Sequence, residues 1–212
     1  MWRMEDVLNL YAQPYKATYP QVCVDERPCQ LVTDSRDPLP PQPGQVARQD
    51  FEYVRHGTCN LFMVFEPHTG WRETTVTAHR KADDFAYLMR DLVDVQFPEA
   101  KKVRVVLDNL NIHSPASLYA AFEPAEALRI LQKLEFHYTP KHGSWLNMVE
   151  IELSVLSRQC LGQRIGDMAT LQREVSAWQE RRNAQHATVH WQFSVQNART
   201  KLTRLYPSIP VR

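Results

Sequence analysis

The sequence predicts an α/β fold, a mixed central sheet of about five strands with helices on both faces. Two apolar runs, Val22-Cys23-Val24 and Val103 to Leu107, end in polar pairs, Asp25-Glu26 and Asp108-Asn109. Runs of this kind read as central strands covered on both faces, with the first polar side chains past the end emerging where ligands usually bind. Segments of helical spacing separate the later strands, so two successive strand-helix-strand units call for right-handed parallel crossovers.

The elements follow in order. Glu5 to Tyr11 predicts a short helix, and Pro14 and Pro20 frame a connector into a strand from Gln21 to Glu26. Pro38 to Gly44 holds four prolines and can sustain neither a helix nor an inner strand, so it predicts an exposed extended loop. Thr58 to Phe65 and Trp71 to Thr77 are β-rich runs around the turn Glu66-Pro67-His68-Thr69-Gly70, the second with the imperfect alternation of an outer strand. Asp83-Asp84 opens a helix from Phe85 to Val95, its acids complementing the dipole, and Pro98 stops it. After the strand at Val103, Ser114-Pro115 starts a helix running with a break to Leu131. A strand from Leu134 to Tyr138 precedes helices at about Leu146 to Leu161 and Met168 to Asn183. This is the element order of the ribonuclease H-like fold.

At 212 residues the chain suits one sizeable domain. Hydrophobic and charged contents of 43% and 23% exclude neither folding nor solubility, and disagree with disorder. No apolar stretch reaches the roughly 18 residues that span a bilayer, and the N-terminus lacks a signal-peptide pattern, so a cytoplasmic location and no membrane contact are expected. The four cysteines are scattered and form no C-x-x-C pair, which disfavours a disulfide framework and a zinc ribbon. His137 and His142 likewise lack the partners of a zinc site. Net charge is +1, yet acids predominate through residue 150 and bases beyond it. A basic region beside acids suits a polyanion such as nucleic acid; a solvated helical surface explains it equally well.

Asp25 and Asp108 fall at the ends of strands expected to be adjacent, where like charges held close call for a cation. Glu150 joins them from a helix start, on a face shared with Asn147, Ser154 and Ser157. Its neighbour Glu152 lies some 200° around that helix, with Gln159 and Gln163, and reads as a solvent-facing acid. Carboxylates at three such places suit Mg²⁺, which takes oxygen ligands and leaves positions for water and phosphate. Two such ions would serve phosphodiester cleavage and strand transfer.

The segments Val24-Asp25-Glu26, Leu107 to His113 and Tyr138 to Glu152 together resemble the DDE transposases of the bacterial insertion sequence 630 family, in the Tc/mariner superfamily. The resemblance covers nearly the whole chain. It implies a ribonuclease H-like catalytic core, cut-and-paste DNA transposition at TA targets, and dependence on Mg²⁺ or Mn²⁺, two ions with DNA bound. Its catalytic and metal-binding triad falls on Asp25, Asp108 and Glu150. Leu146-Asn147-Met148-Val149-Glu150 matches the superfamily pattern except for Met148, which replaces a proline. Asp108 and Glu150 also stand further apart than in many relatives, an excess assigned to an insertion around Pro124 to Lys133.

Glu26, Asn109, His113, His142, Trp145 and Asn147 are the expected neighbours of that site, and Lys141, Arg158, Arg181 and Arg182 the expected DNA contacts. For Asn109 and His113, strand-end hydrogen bonding competes with a role at the phosphate. For Trp145, packing competes with stacking on an unpaired base and is preferred. The expected organisation is a linker with a short helix at residues 1–20, the catalytic domain at 21–186 and a basic C-terminal extension at 187–212, packed on the core or trailing from it. No paired-helix segment precedes Asp25, so the helix-turn-helix modules of full-length relatives are expected to be missing. Expected partners are DNA, as transposon ends and target, and a second copy in a homodimeric assembly acting at the nucleoid. The alternative is a catalytically silent transposase remnant or adaptor that binds DNA or an intact transposase. A structure-specific nuclease of the same fold is the third reading.

Overall fold

The structure, a computed structural model, describes residues 1–48 and 50–206. Its sheet has five strands in the order β3-β2-β1-β4-β5. They are β1 (Gln21–Asp34), β2 (Tyr53–Glu66), β3 (Trp71–Thr77), β4 (Val103–Leu107) and β5 (Leu134–Tyr138). The first three pair antiparallel, whereas β4 runs parallel to both β1 and β5. β3 lies at an edge, where its weak alternation costs least.

Side-chain alternation divides the core into two layers. Cys23, Leu61, Met63, Phe65 and Val106 face α1 (Trp2–Tyr11), α5 (Val149–Gln159) and α6 (Met168–Ala184). Val22, Val24, Phe62, Val64, Val105 and Leu107 face α2 (Ala82–Asp91), α3 (Pro115–Ala121) and α4 (Pro124–Lys133). The segment around Pro124 expected as an insertion is α4 itself, which buries Ala127 and Ile130. The last α-helix among the described residues, α7 (Val195–Lys201), buries Ala198 in the first layer, against which Trp191, Phe193 and Leu202 also pack. Residues 207–212 of the expected extension lie outside the described residues.

The largest differences from expectation are in β1, β2 and α2; β2, expected from Thr58, begins at Tyr53. The strand expected to stop at Glu26 continues to Asp34, because β2 pairs with it from Cys23 to Asp34. β4 covers β1 only at Gln21–Cys23. Between Val24 and Val32, whose N–H donates to Ile165 O at 2.8 Å, no strand pairs with this side of β1, and Pro28, which has no donor to offer, is tolerated there. The helix expected at Phe85 begins at Ala82, after Lys81 N donates to Asp84 Oδ2 at 2.8 Å. It ends in a π-helical turn at Leu92–Gln96, just before Pro98.

Candidate active site

The open side of β1 is a notch, and the acids gather at it. Asp25 follows Cys23 by two residues and Asp108 follows Val106 by two, so both point to the α5 side of the sheet. Glu150 stands in the first turn of α5, exposed, and reaches the same notch. Together with Glu26, Arg27, Pro28, Ser154 and Ser157, the three line a cavity of about 520 Å³. Asn147, immediately before α5, is buried and donates from Nδ2 to Val24 O at 2.9 Å, fastening the start of that helix to β1 beside Asp25.

The electrostatics are those of crowded acids. Burial lifts the Asp25 carboxyl to about 7; the backbone N–H of Glu26 opposes this at 2.8 Å, and the charges of Glu26, Glu150 and Asp108 reinforce it. Asp108 is lowered instead, chiefly by its hydrogen bond to His113, although burial works against this. His113 is 1% exposed. Its Nδ1 lies 2.7 Å from Asp108 Oδ1 and its Nε2 3.0 Å from Glu26 Oε2. Burial pushes the imidazole down, but the contacts with Asp108 and Glu26 overcome it and hold the ring at about 9, protonated at neutral pH, so that Nδ1 donates to Asp108 and Nε2 is held against Glu26 as an ion pair.

Hard carboxylate oxygens of this number suit Mg²⁺ or Mn²⁺. Burial and the neighbouring acids both disfavour the charged form of Asp25, and a divalent cation would offset both, so the donor set fits such an ion. Among the described residues no three His, Cys, Asp or Glu side chains already converge into a finished metal cluster. The triad lines a cavity rather than a closed cage.

The remaining residues singled out in the sequence separate into two groups. Asn109 is exposed beside Asp108; its Nδ2 donates to Thr139 O at 2.5 Å and its Oδ1 accepts from Arg3. Arg158 is exposed in the last turn of α5 and donates to Ser154 Oγ, one turn back, at 2.6 Å, at the rim of the acidic cavity. Lys141, His142 and Trp145 lie away from it, lining a cleft of about 260 Å³ with Met4 and Leu202. There Trp145 stacks on Trp191, with ring centroids 6.2 Å apart, and meets the edge of Phe193, while 48% of it stays exposed. His142 has a left-handed backbone, φ 62°. Arg181 is exposed on α6.

Glu152 is a correction. It is 1% exposed rather than solvent-facing, and its carboxylate bridges Arg72 at 3.1 Å and Arg182 at 2.7 Å. The face of α5 it shares with Gln159 is covered by α6, whose Trp178 donates to Gln159 Oε1 at 3.0 Å. Arg182, expected to contact DNA, is therefore engaged in this internal ion pair. Arg27 is the residue the sequence reading missed. It lines the acidic cavity and donates to Ser157 Oγ. Continuing the strand past Glu26 would have placed it on the face of Asp25.

A mixed five-stranded sheet of this order, with acids from β1, the end of β4 and the start of α5 around one notch, defines the class of ribonuclease H-like α/β nucleases. The chain belongs to the DDE superfamily endonucleases, whose family it matches over residues 20–172. Its fold is similar to that of two Mos1 mariner structures. One is a paired end complex with Mn, at 17% identity and TM-score 0.57, covering 88% of this chain and 57% of the other. The second is a strand transfer complex, at 16% identity and TM-score 0.56, covering 88% and 58%. The chain thus spans a little over half the length of these structures. No curated protein matches the sequence. Among the described residues no helix is long and apolar enough to cross a membrane.

Proposed function

We propose that this chain is the catalytic part of a transposase resembling the insertion sequence 630 family, which cuts DNA and joins the freed end to a target by a cut-and-paste route at TA sites. The observation that carries the reading is the meeting of Asp25, Asp108 and Glu150, from three separate elements, around one cavity. Bound Mg²⁺ or Mn²⁺, as two ions with DNA in place, would supply charge neutralisation and Lewis acidity at the phosphate. Asp25, Asp108 and Glu150 are the residues that would hold them.

The protein's own groups have distinct tasks in this scheme. Asp108 is oriented by His113, which fixes one carboxylate oxygen and leaves the other for the notch. Asn147 holds the first turn of α5 against β1, setting the reach of Glu150. Arg27, tethered to Ser157, offers a fixed positive charge to a phosphate entering the cavity. In each chemical step an oxygen, from water or from a DNA 3′-hydroxyl, forms a bond to phosphorus as the bond to the departing oxygen breaks, and the incoming oxygen loses its proton. A homodimeric assembly acting in the cytoplasm, at the nucleoid, completes the reading.

The test is Mg²⁺-dependent nicking of supercoiled plasmid by the wild type and by Asp108→Ala. Nicking confined to the wild type is expected. Activity surviving in Asp108→Ala would remove Asp108 from the mechanism, and a wild type that binds DNA yet never nicks it would favour the silent adaptor.

A further inference from the structure

Beside the acidic cavity lies a second cleft of about 410 Å³, lined by Pro28, Asn60, Ala78, His79, Arg80 and Lys81 among others. Pro28 lines both and forms the ridge between them. Asn60 is on the face of β2 shared with Phe62 and Val64, which α2 covers. That helix begins only at Ala82, so Asn60 falls beyond its end, and the exposed segment His79–Lys81 closes the cleft instead.

Two independent observations give this cleft a ligand. Asn60 is 4% exposed, and its Nδ2 is buried with no hydrogen-bond partner, an arrangement proteins avoid unless something else accepts the bond. Around it stand an arginine, a lysine and a histidine, all exposed. Among the described residues no acid lines the cleft itself; Asp84, the nearby one in the first turn of α2, accepts from Lys81 N at 2.8 Å outside it. Arg80 is tied only loosely, with Nη1 3.5 Å from Glu26 Oε1 and a side chain 49% exposed. A buried amide donor with exposed cations at the mouth is chemistry for an oxyanion.

We propose that this cleft seats a backbone phosphate of DNA on the strand whose scissile phosphate occupies the acidic cavity, with Asn60 as the inner donor and Arg80 and Lys81 as the clamp. The identity of the ligand rests on the DNA-cleaving reading; the seat itself rests on the cleft. It also answers a difficulty of that reading. A cavity ringed by four acids repels a polyanion, and cations across a single residue's width compensate.

The experiment uses the full chain. Affinity for a labelled DNA duplex is measured against salt for the wild type, Arg80→Ala, Lys81→Ala and, as an exposed control, Arg173→Ala. The Asn60 side-chain amide is followed by NMR as inorganic phosphate is added. Arg80→Ala and Lys81→Ala should each bind several-fold more weakly and reduce the salt slope by about one, and phosphate should shift the Asn60 amide. Clamp variants that bind as Arg173→Ala does would overturn the proposal, as would an Asn60 amide indifferent to phosphate. An amide that shifts in a wild type without affinity for DNA would overturn the DNA assignment; absence of nicking with these binding effects intact would count against the catalytic reading alone.

Discussion

His113 Nδ1 lies 2.7 Å from Asp108 Oδ1, and the imidazole reaches back with Nε2 to Glu26, 3.0 Å away, on the opposite face of β1. A buried cation between two acids is thus the link that ties the end of β4 to the middle of β1. Because Asp108 also accepts from Leu110 N at 2.9 Å, Oδ1 is fully used within the protein, and the orientation of the remaining oxygen is fixed.

Replacing His113 with Gln should therefore keep the fold but weaken Mg²⁺-dependent nicking by roughly 10- to 100-fold, the usual effect of losing a residue that orients a metal ligand. Part of the loss should be recovered at high Mg²⁺, since affinity for the ion is what orientation supports. The check is the nicking rate across a Mg²⁺ series. An unchanged Mg²⁺ dependence would show that the bond to His113 is structural only.

Glu150 and Glu152 separate activity from stability. Glu152→Ala leaves Arg72, which is fully buried, without its acid, and breaking a buried pair in this way costs about 3–5 kcal/mol. Glu150→Gln removes an exposed carboxylate with no such partner and should leave stability within roughly 0.5 kcal/mol. Urea denaturation of the two variants, beside their nicking rates, distinguishes them: the first should lose stability, the second only activity. Equal stability losses would contradict the burial difference.

Crowded acids make the metal-free protein less stable than its packing allows. Asp25→Asn replaces a carboxyl whose charged form is disfavoured by burial and by Glu26, Glu150 and Asp108, so at pH 8, where the wild-type group is ionised, the variant's melting temperature without metal should exceed that of the wild type. Adding Mg²⁺ should raise the wild-type value, since a ligand bound only by the folded state stabilises it, and should raise the variant's far less. Thermal melts with and without Mg²⁺ supply all four values. The same Mg²⁺ response in both proteins would take Asp25 out of the ligand set.

These relationships were unevenly legible in the sequence. The bounds of β3 and β5 and the start of β4 were readable because each is a short run closed by turn residues. The polar pairs that close two apolar runs sufficed to put Asp25 and Asp108 at the ends of neighbouring strands, and helical geometry chose Glu150 over Glu152 for the notch. The continuation of β1 was hidden, because Asp25-Glu26-Arg27-Pro28 has the composition of a strand end. Only pairing with β2, and the short reach of β4, make a charged, proline-bearing strand stable there. Glu152 was misread for a similar reason: helical periodicity tells which residues share a face, but not that α6 and Arg72, far along the chain, would cover it.

Cys29 tests how tightly the extended part of β1 is sealed. Burial raises its thiol to about 11 from an ordinary value of 9.0; Arg27 pulls it down, and Cys59 and Cys160 push it further up. Only the thiolate reacts with alkylating agents, so at pH 8 the reactive fraction is roughly 100-fold below that of a free thiol. The folded value is the higher one, so the folded state holds this proton while the unfolded thiol releases it. The stability contribution is therefore complete below pH 9 and is lost as pH rises toward 11. Alkylation of Cys29, followed by mass spectrometry in the native protein, should climb about tenfold per pH unit from 8 to 10. Levelling off near pH 9 would mean that water reaches this thiol, and that β1 beyond Pro28 is open to solvent on the face where Ile165 and Leu171 share its core layer.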